Sequence, residues 1–113
     1  MTAPSDVFHL IDESSWQRAQ AAGHHAPESL SKEGFIHFST GDQVVATANR
    51  HYPGRRDLLL LHIDLDKLPV ALKYEPSSHG SLYPHLYAPL PLGAVTQATP
   101  FLPDIDGVFR ANI

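Results

Sequence analysis

The sequence predicts an α+β fold built from short, mostly antiparallel strands. Three observations lead there. Apolar runs of strand length, VFHLID, GFIHFS and DLLLLHID, are bounded by turn residues. Ten prolines and seven glycines divide the 113 residues into many short elements. Helical patterns fall early and strands late, and the connections are too short for the repeated crossovers of a parallel sheet.

The elements follow in order. VFHLID (7–12) alternates and predicts the first strand. Ser14 and Gln17 have capping-box spacing and predict a helix over Ser15–Ala22, closed by Gly23. HHAPESLSKE predicts a polar loop. GFIHFS predicts the second strand. Thr40 and Gln43 repeat the capping-box spacing and predict a second helix running to about His51, with Val44 and Ala48 on one face. PGRR predicts a turn. DLLLLHID (57–64) is apolar on both faces and predicts a central strand; VALKYE (70–75) predicts a fourth. The three prolines of LYPHLYAPLPLG predict an edge or irregular segment. AVTQATPFL (94–102) predicts the last strand.

Length and composition bound the function. A chain of 113 residues with 42% apolar content predicts one domain, 1–113, with one core. No apolar run reaches the roughly 18 residues of a membrane span. The N-terminus MTAPSDVFH has neither the basic nor the apolar part of a signal segment, so a cytoplasmic protein with no membrane partner is expected. Without cysteine there is no disulfide, thiolate metal site or cysteine nucleophile. A net charge of −4 argues against bulk binding to nucleic acid, though not against contact with a single phosphate.

Eight histidines carry most of the functional signal. Strand alternation groups Val7, His9 and Ile11 on one face, and Phe35, His37 and Ser39 on another. Two strands therefore each place an imidazole among apolar neighbours just before a helix. His85, between Tyr83 and Tyr87 at strand period, completes an aromatic-walled pocket with polar tips. The plain alternative for each is a core histidine with both nitrogens satisfied. Thr40 reads as a helix cap, whereas Ser39 has no structural explanation. His62 reads as structural, and His24 and His25 as solvated. Arg50 and His51 complement a helix C-terminus or form a small phosphate clamp. Glu75 is an exposed carboxylate or a ribose ligand. No H-x-H or H-E-x-x-H spacing is present, so no metal is expected, although His9, His37, His85 and Glu75 together could mimic a three-histidine site. Ser39 lacks the glycine elbow of a serine nucleophile.

The blocks VFHLID, GFIHFST, LLLLHID, KYE and YPHLYAPL, in this order and across nearly the whole chain, resemble the bacterial family catalogued as domain of unknown function 952, which is grouped with the ADP-ribosyltransferase fold. The resemblance implies an ADP-ribosyltransferase-like fold: two small, mostly antiparallel sheets at an angle, two short helices, and a cleft for the nicotinamide dinucleotide NAD. The strand blocks also look like those of the RNA 2′-phosphotransferases, whose strand-one and strand-two histidines contact the dinucleotide. That implies roles for His9 and His37, more loosely for Ser39, and places the third signature position near Tyr83–His85. The departures are specific. Leu10 and Ile11 stand where those enzymes carry a glycine and a hydroxyl. The basic residues that hold a 2′-phosphate have no counterpart, and Glu75 comes too early to be the late-strand glutamate of mono-ADP-ribosyltransferases.

Three functions are compatible with these residues. The leading one is a cleft lined by His9, His37, Ser39, Tyr83 and His85 that binds NAD or an ADP-ribose-containing ligand. If catalytic, it would transfer ADP-ribose to an RNA end, a protein or a small acceptor. His9 and His37 would hold ribose hydroxyls and pyrophosphate, Tyr83 or Tyr87 would stack on a ring, and Glu75 or His85 would orient or deprotonate the acceptor. The second is a nucleotide-binding module without catalysis, and the third a histidine metal site.

Overall fold

The computed structural model describes residues 6–77 and 80–110. The N-terminal MTAPS, the middle of the PSSHGS loop and the final ANI lie outside the described residues.

Strand β1 (Val7–Asp12) leads into helix α1 (Glu13–Ala22). Strand β2 (His24–His25), helix α2 (Glu28–Glu33), strands β3 (Ile36–His37) and β4 (Ser39–Thr40), and helix α3 (Val44–His51) follow. The second half is strand β5 (Leu58–Ile63), β6 (Lys73–Pro76), β7 (Leu82–Leu86), β8 (Leu90–Pro91) and β9 (Val95–Pro100). A 3-10 turn sits at Leu65–Lys67 and another at Leu92–Ala94. The strands form three sheets, β4-β1-β5-β9, β2-β8 and β3-β7-β6, and every pairing is antiparallel. No described helix is long and apolar enough to cross a membrane.

The four-stranded sheet is the middle layer, because β1 and β5 are apolar on both faces and must be covered twice. On one face Val7, Ile11 and Leu61 pack with Ile36, Phe38, Leu86, Leu90 and Ala94. On the other Phe8, Leu10, Leu58 and Leu60 pack with Val44 and Ala48 of α3 and with Phe101 and Phe109. The central position expected for 57–64 is the one observed, between β1 and β9.

Several elements differ from the sequence-based expectation. Helix α1 starts at Glu13 because Asp12, not Ser14, is its cap: the carboxylate accepts from the Ser15 N–H (3.0 Å) and from both the Ser14 and Ser15 hydroxyls (2.7 Å each). An ionised acceptor at the strand end outcompetes a hydroxyl two residues later. The stretch HHAPESLSKE holds β2 and a third helix, α2. Pro27 precedes its first residue, and Gly34 closes it at φ 90°, returning its N–H to Leu30 and Ser29. Half of the Thr40–Gln43 box forms, Thr40 N–H to Gln43 Oε1 at 3.0 Å, but the Thr40 hydroxyl bonds Asp42, and α3 begins at Val44 without a side-chain cap. The strand expected over 70–75 is confined to Lys73–Pro76, because its partner offers only Leu82–Leu86.

The proline-rich 82–93 segment departs most. It supplies β7, the central strand of the β3-β7-β6 sheet. Pro84 is tolerated because the Phe38 N–H donates to its carbonyl (3.0 Å) just where the β3 ladder ends, so only the return bond is forgone. Likewise GFIHFS is not one strand. Ile36 and His37 pair with β7, Ser39 and Thr40 pair with β1, and Phe38 (1% exposed) is buried at the switch between the two sheets.

Replacing Phe38 with alanine should cost about 3–5 kcal/mol, the range for a buried aromatic, read as a lowered urea midpoint with little change in slope. Asp12→Ala should cost about 0.5–2 kcal/mol through the lost cap. Near-neutral Phe38→Ala would mean that the joint between the sheets does not depend on this ring.

Candidate functional site

The sheet switch at Phe38 sets the end of the β3-β7-β6 sheet beside β1, and a cleft of about 860 Å³ opens along the seam. Its floor is strand residues: His9 to Asp12 of β1, His37 to Ser39, and Tyr83 and His85 of β7. One wall is α3 and its end, with Thr47, Arg50, His51 and Tyr52. The α2 region also lines it, with Pro27, Glu28, Ser29 and Glu33, as do His25 and Phe35.

His9, His37 and His85, expected on three separate strands, reach this one cleft, as do Ser39 and Tyr83. The His9 Nδ1–H donates to the His37 carbonyl at 2.7 Å. That bond fixes the tautomer, so a neutral His9 carries its lone pair on Nε2. Burial, reinforced by the neighbouring His25 ring, pushes His9 down to about 3. The His9 side chain is half-buried where it lines the cleft. The His9 ring lies 5.2 Å from that of His25 and 5.4 Å from that of Phe38.

His37 is exposed, and its Nε2 lies 3.2 Å from Glu33 on α2, an (i, i+4) contact across the wall. His85 is 8% exposed and stacks on Phe35, ring centroids 4.0 Å apart, with the His37 ring edge-on at 5.3 Å. The His85 Nδ1–H donates to Glu75 Oε1 at 2.8 Å, and the Tyr87 hydroxyl donates to the same oxygen at 2.5 Å. These two donors hold Glu75 below the usual carboxylate range, and the carboxylate in turn raises the Tyr87 phenol. Glu75 and Tyr87 therefore stand behind His85 and do not line the cleft. Tyr87 packs against Phe35 at 5.2 Å and carries the Lys73 ammonium 4.8 Å above its ring.

Ser39 has a structural partner after all. Thr47 Oγ1 donates to the Gln43 carbonyl (3.1 Å), so the buried Ser39 hydroxyl donates to Thr47 Oγ1 at 3.0 Å and ties β4 to α3. His25, expected in solvent, is 8% exposed and faces the cleft; burial lowers its pKa against the opposing pull of Asp12. Its signal was the strand pairing with Leu90, which no local pattern announces. His24 is exposed as expected. His62 lies off the cleft, edge-on to Phe8 at 5.0 Å and 3.4 Å from the Thr99 hydroxyl. Of the basic cluster, Arg50 and His51 line the cleft, while Arg55 is paired with Asp57 (2.7 Å) and Arg56 reaches the Pro103 carbonyl. Among the described residues no group of three or more histidines, aspartates or glutamates is placed to hold a metal ion.

Neutral His9 has a consequence for stability. As pH falls from about 6.5 to about 3, the unfolded chain takes up a proton at position 9 that the folded chain refuses, so stability falls with pH. The slope should approach roughly 1.4 kcal/mol per pH unit for this group, visible as urea midpoints that fall between pH 7 and pH 4. His9→Gln should flatten that dependence; an unchanged slope would assign it elsewhere.

The family model for proteins of unknown function, DUF952, matches residues 10–98. No functionally curated protein matches the chain. Among solved structures, the crystal structure of protein CC0527 from Caulobacter crescentus shares 33% identity over 94% of each chain, with a TM-score of 0.84. A double-methionine variant of CC0527 gives 32% identity with the same coverage and TM-score. The solution NMR structure of CC0527 gives 33% identity over 93% of this chain and 91% of that one, with a TM-score of 0.80. The match across most of the sequence and the shared fold agree: the chain belongs to the DUF952 family of proteins of unknown function.

Proposed function

We propose that the cleft binds NAD or another ADP-ribose-containing ligand in an ADP-ribosyltransferase-like fold, and that it transfers ADP-ribose to an acceptor. The observation that carries this reading is the convergence of His9, His37 and His85, each from a different strand, on one solvent-reachable cleft. Its size, about 860 Å³, falls in the roughly 300–1,000 Å³ range of small-molecule sites. The resemblance of the strand blocks to RNA 2′-phosphotransferases supports the same assignment.

The chemistry of the walls supports an orientation. His9 offers a lone pair at Nε2 and cannot bond an oxyanion, so it suits a ribose hydroxyl. The α3 wall brings Arg50 for the pyrophosphate. The α2 wall brings Glu28 and Glu33, which favour the cationic nicotinamide end and the positive charge that develops at C1′. Tyr83 supplies a ring surface for a base. In the transfer, the C1′–N bond breaks with its electron pair leaving on nicotinamide. The acceptor atom bonds C1′, and its proton passes to the site.

Because a ligand that binds only the folded state stabilises it, NAD or ADP-ribose at a hundred times Kd should add about 2.7 kcal/mol and raise Tm by several degrees. His9→Ala and Arg50→Ala should each shrink that shift while leaving a cooperative melt. NAD carrying a label on its ADP-ribose part, incubated with a cell extract, should yield a labelled product. A Tm shift without product would reduce the protein to a binding module. No shift with NAD, ADP-ribose or ADP would refute the reading.

A further inference from the structure

The cleft contains one ring whose two nitrogens are treated very differently. His85 is almost fully enclosed, clamped face-on by Phe35 at 4.0 Å. Its Nδ1 is fastened to Glu75 Oε1 at 2.8 Å, and that oxygen is itself fastened by the Tyr87 hydroxyl at 2.5 Å. Among the described residues Nε2 has no hydrogen-bond partner, and the ring lines the cleft. Lys73, Glu75, Tyr83 and His85 share one face of the β6–β7 ladder, where Glu75 opposes Tyr83 and Lys73 opposes His85, and Tyr87 follows just beyond the end of β7. The sheet itself therefore delivers the carboxylate to the back of the ring.

We propose that Glu75 and Tyr87 are positioning residues that hold His85 as its Nδ1–H tautomer, so that Nε2 presents a fixed lone pair to the cleft and takes the proton of a hydroxyl group, either water or an alcohol. The tautomer rests on the hydrogen bonds alone; the hydroxyl rests also on the reading of the cleft given above. A carboxylate accepts and does not donate, so it selects the ring form with hydrogen on Nδ1. In free neutral histidine the Nε2–H form is the commoner one, so the protein imposes the rarer. A lone pair one ring away from an ionised carboxylate repels phosphate and carboxylate groups and accepts from O–H. The acceptor in the transfer is accordingly a hydroxyl. Its oxygen forms the bond to C1′, its proton moves to His85 Nε2, and nicotinamide departs with the electron pair of the broken bond. With water as acceptor the products are ADP-ribose, nicotinamide and one proton.

The tautomer can be read directly in the whole protein. Long-range proton–nitrogen spectra of uniformly ¹⁵N-labelled chain, at a pH where the ring is neutral, should show His85 protonated at Nδ1 and bare at Nε2. Glu75→Ala should return it to the Nε2–H form. Glu75→Gln, whose amide oxygen can still accept from Nδ1, should retain the wild-type pattern, and Tyr87→Phe should leave a mixture. Addition of ADP-ribose to the wild type should shift the His85 Nε2 resonance, and with labelled NAD in water His85→Ala should lower kcat by about 10²–10⁴-fold. An Nε2–H ring in the wild type, or an unchanged ring in Glu75→Ala, overturns the positioning role. An Nδ1–H ring that ADP-ribose leaves untouched overturns the hydroxyl assignment together with the ligand reading, while the role of Glu75 and Tyr87 stands.

Discussion

The cleft depends on a five-residue stretch that belongs to two sheets. Ile36 and His37 complete the ladder of β7, Ser39 and Thr40 that of β1, and Phe38 between them is driven into the core. A strand can change sheets only if the residue at the corner has its backbone bonded and its side chain buried. Both conditions are met: the Phe38 N–H reaches the Pro84 carbonyl, and its ring joins Val7, Ile36 and Leu86. The His37 carbonyl at the same corner is taken by the His9 Nδ1–H. One histidine side chain thus bridges the two sheets, and the cleft is the gap left where they part.

This joint explains why histidines from distant positions meet. His9 and His37 are 28 residues apart, and His85 lies further still along the chain. His37 and His85 are directly opposed in the β3–β7 ladder, so their proximity follows from register. His9 arrives on β1 at the far side of the switch. Enclosure then sets the chemistry. Burial lowers the pKa of both His9 and His25, and the His25 ring adds to the effect on His9, which favours hydrogen-bond acceptors over a cationic patch in this part of the cleft.

What the sequence disclosed was local and periodic. The strands at 7–12 and 58–63, the central place of LLLLHI and the alternation that groups Tyr83 with His85 could be read, because side-chain period and apolar content are properties of a short window; Tyr87, expected on the same face, falls beyond the end of β7. The family resemblance was carried by those same blocks. What could not be read depends on partners. Pro84 in a central strand is permitted only because the neighbouring ladder stops there. His25 enters the cleft through a two-residue pairing with β8, at Leu90, 65 positions later. The α2 helix was legible in principle, from Pro27 at its start and Gly34 at its end, but at six residues its polar composition offers no apolar face to betray it. Ser39 looked unexplained because its partner, Thr47, sits one helix away.

The two sheet faces also divide labour along β6 and β7. Tyr74, Pro76, Leu82 and Pro84 occupy one side of the ladder, and Lys73, Glu75, Tyr83 and His85 the other. Alternation alone therefore places Lys73, Glu75 and His85 on the side facing Phe35 and His37, at no cost to the packing beneath Pro84. Stacking on Phe35 fixes the plane of the His85 ring, and the bond to Glu75 fixes its rotation within that plane. Neither constraint suffices by itself, since a stacked ring can flip and a hydrogen-bonded ring can tilt. Together they leave a single direction for Nε2, which is what a proton acceptor needs if it is to meet a reacting oxygen at the right moment. The proline that seemed to disqualify this segment as a central strand is thus next in sequence to the residue whose orientation the sheet is best built to hold.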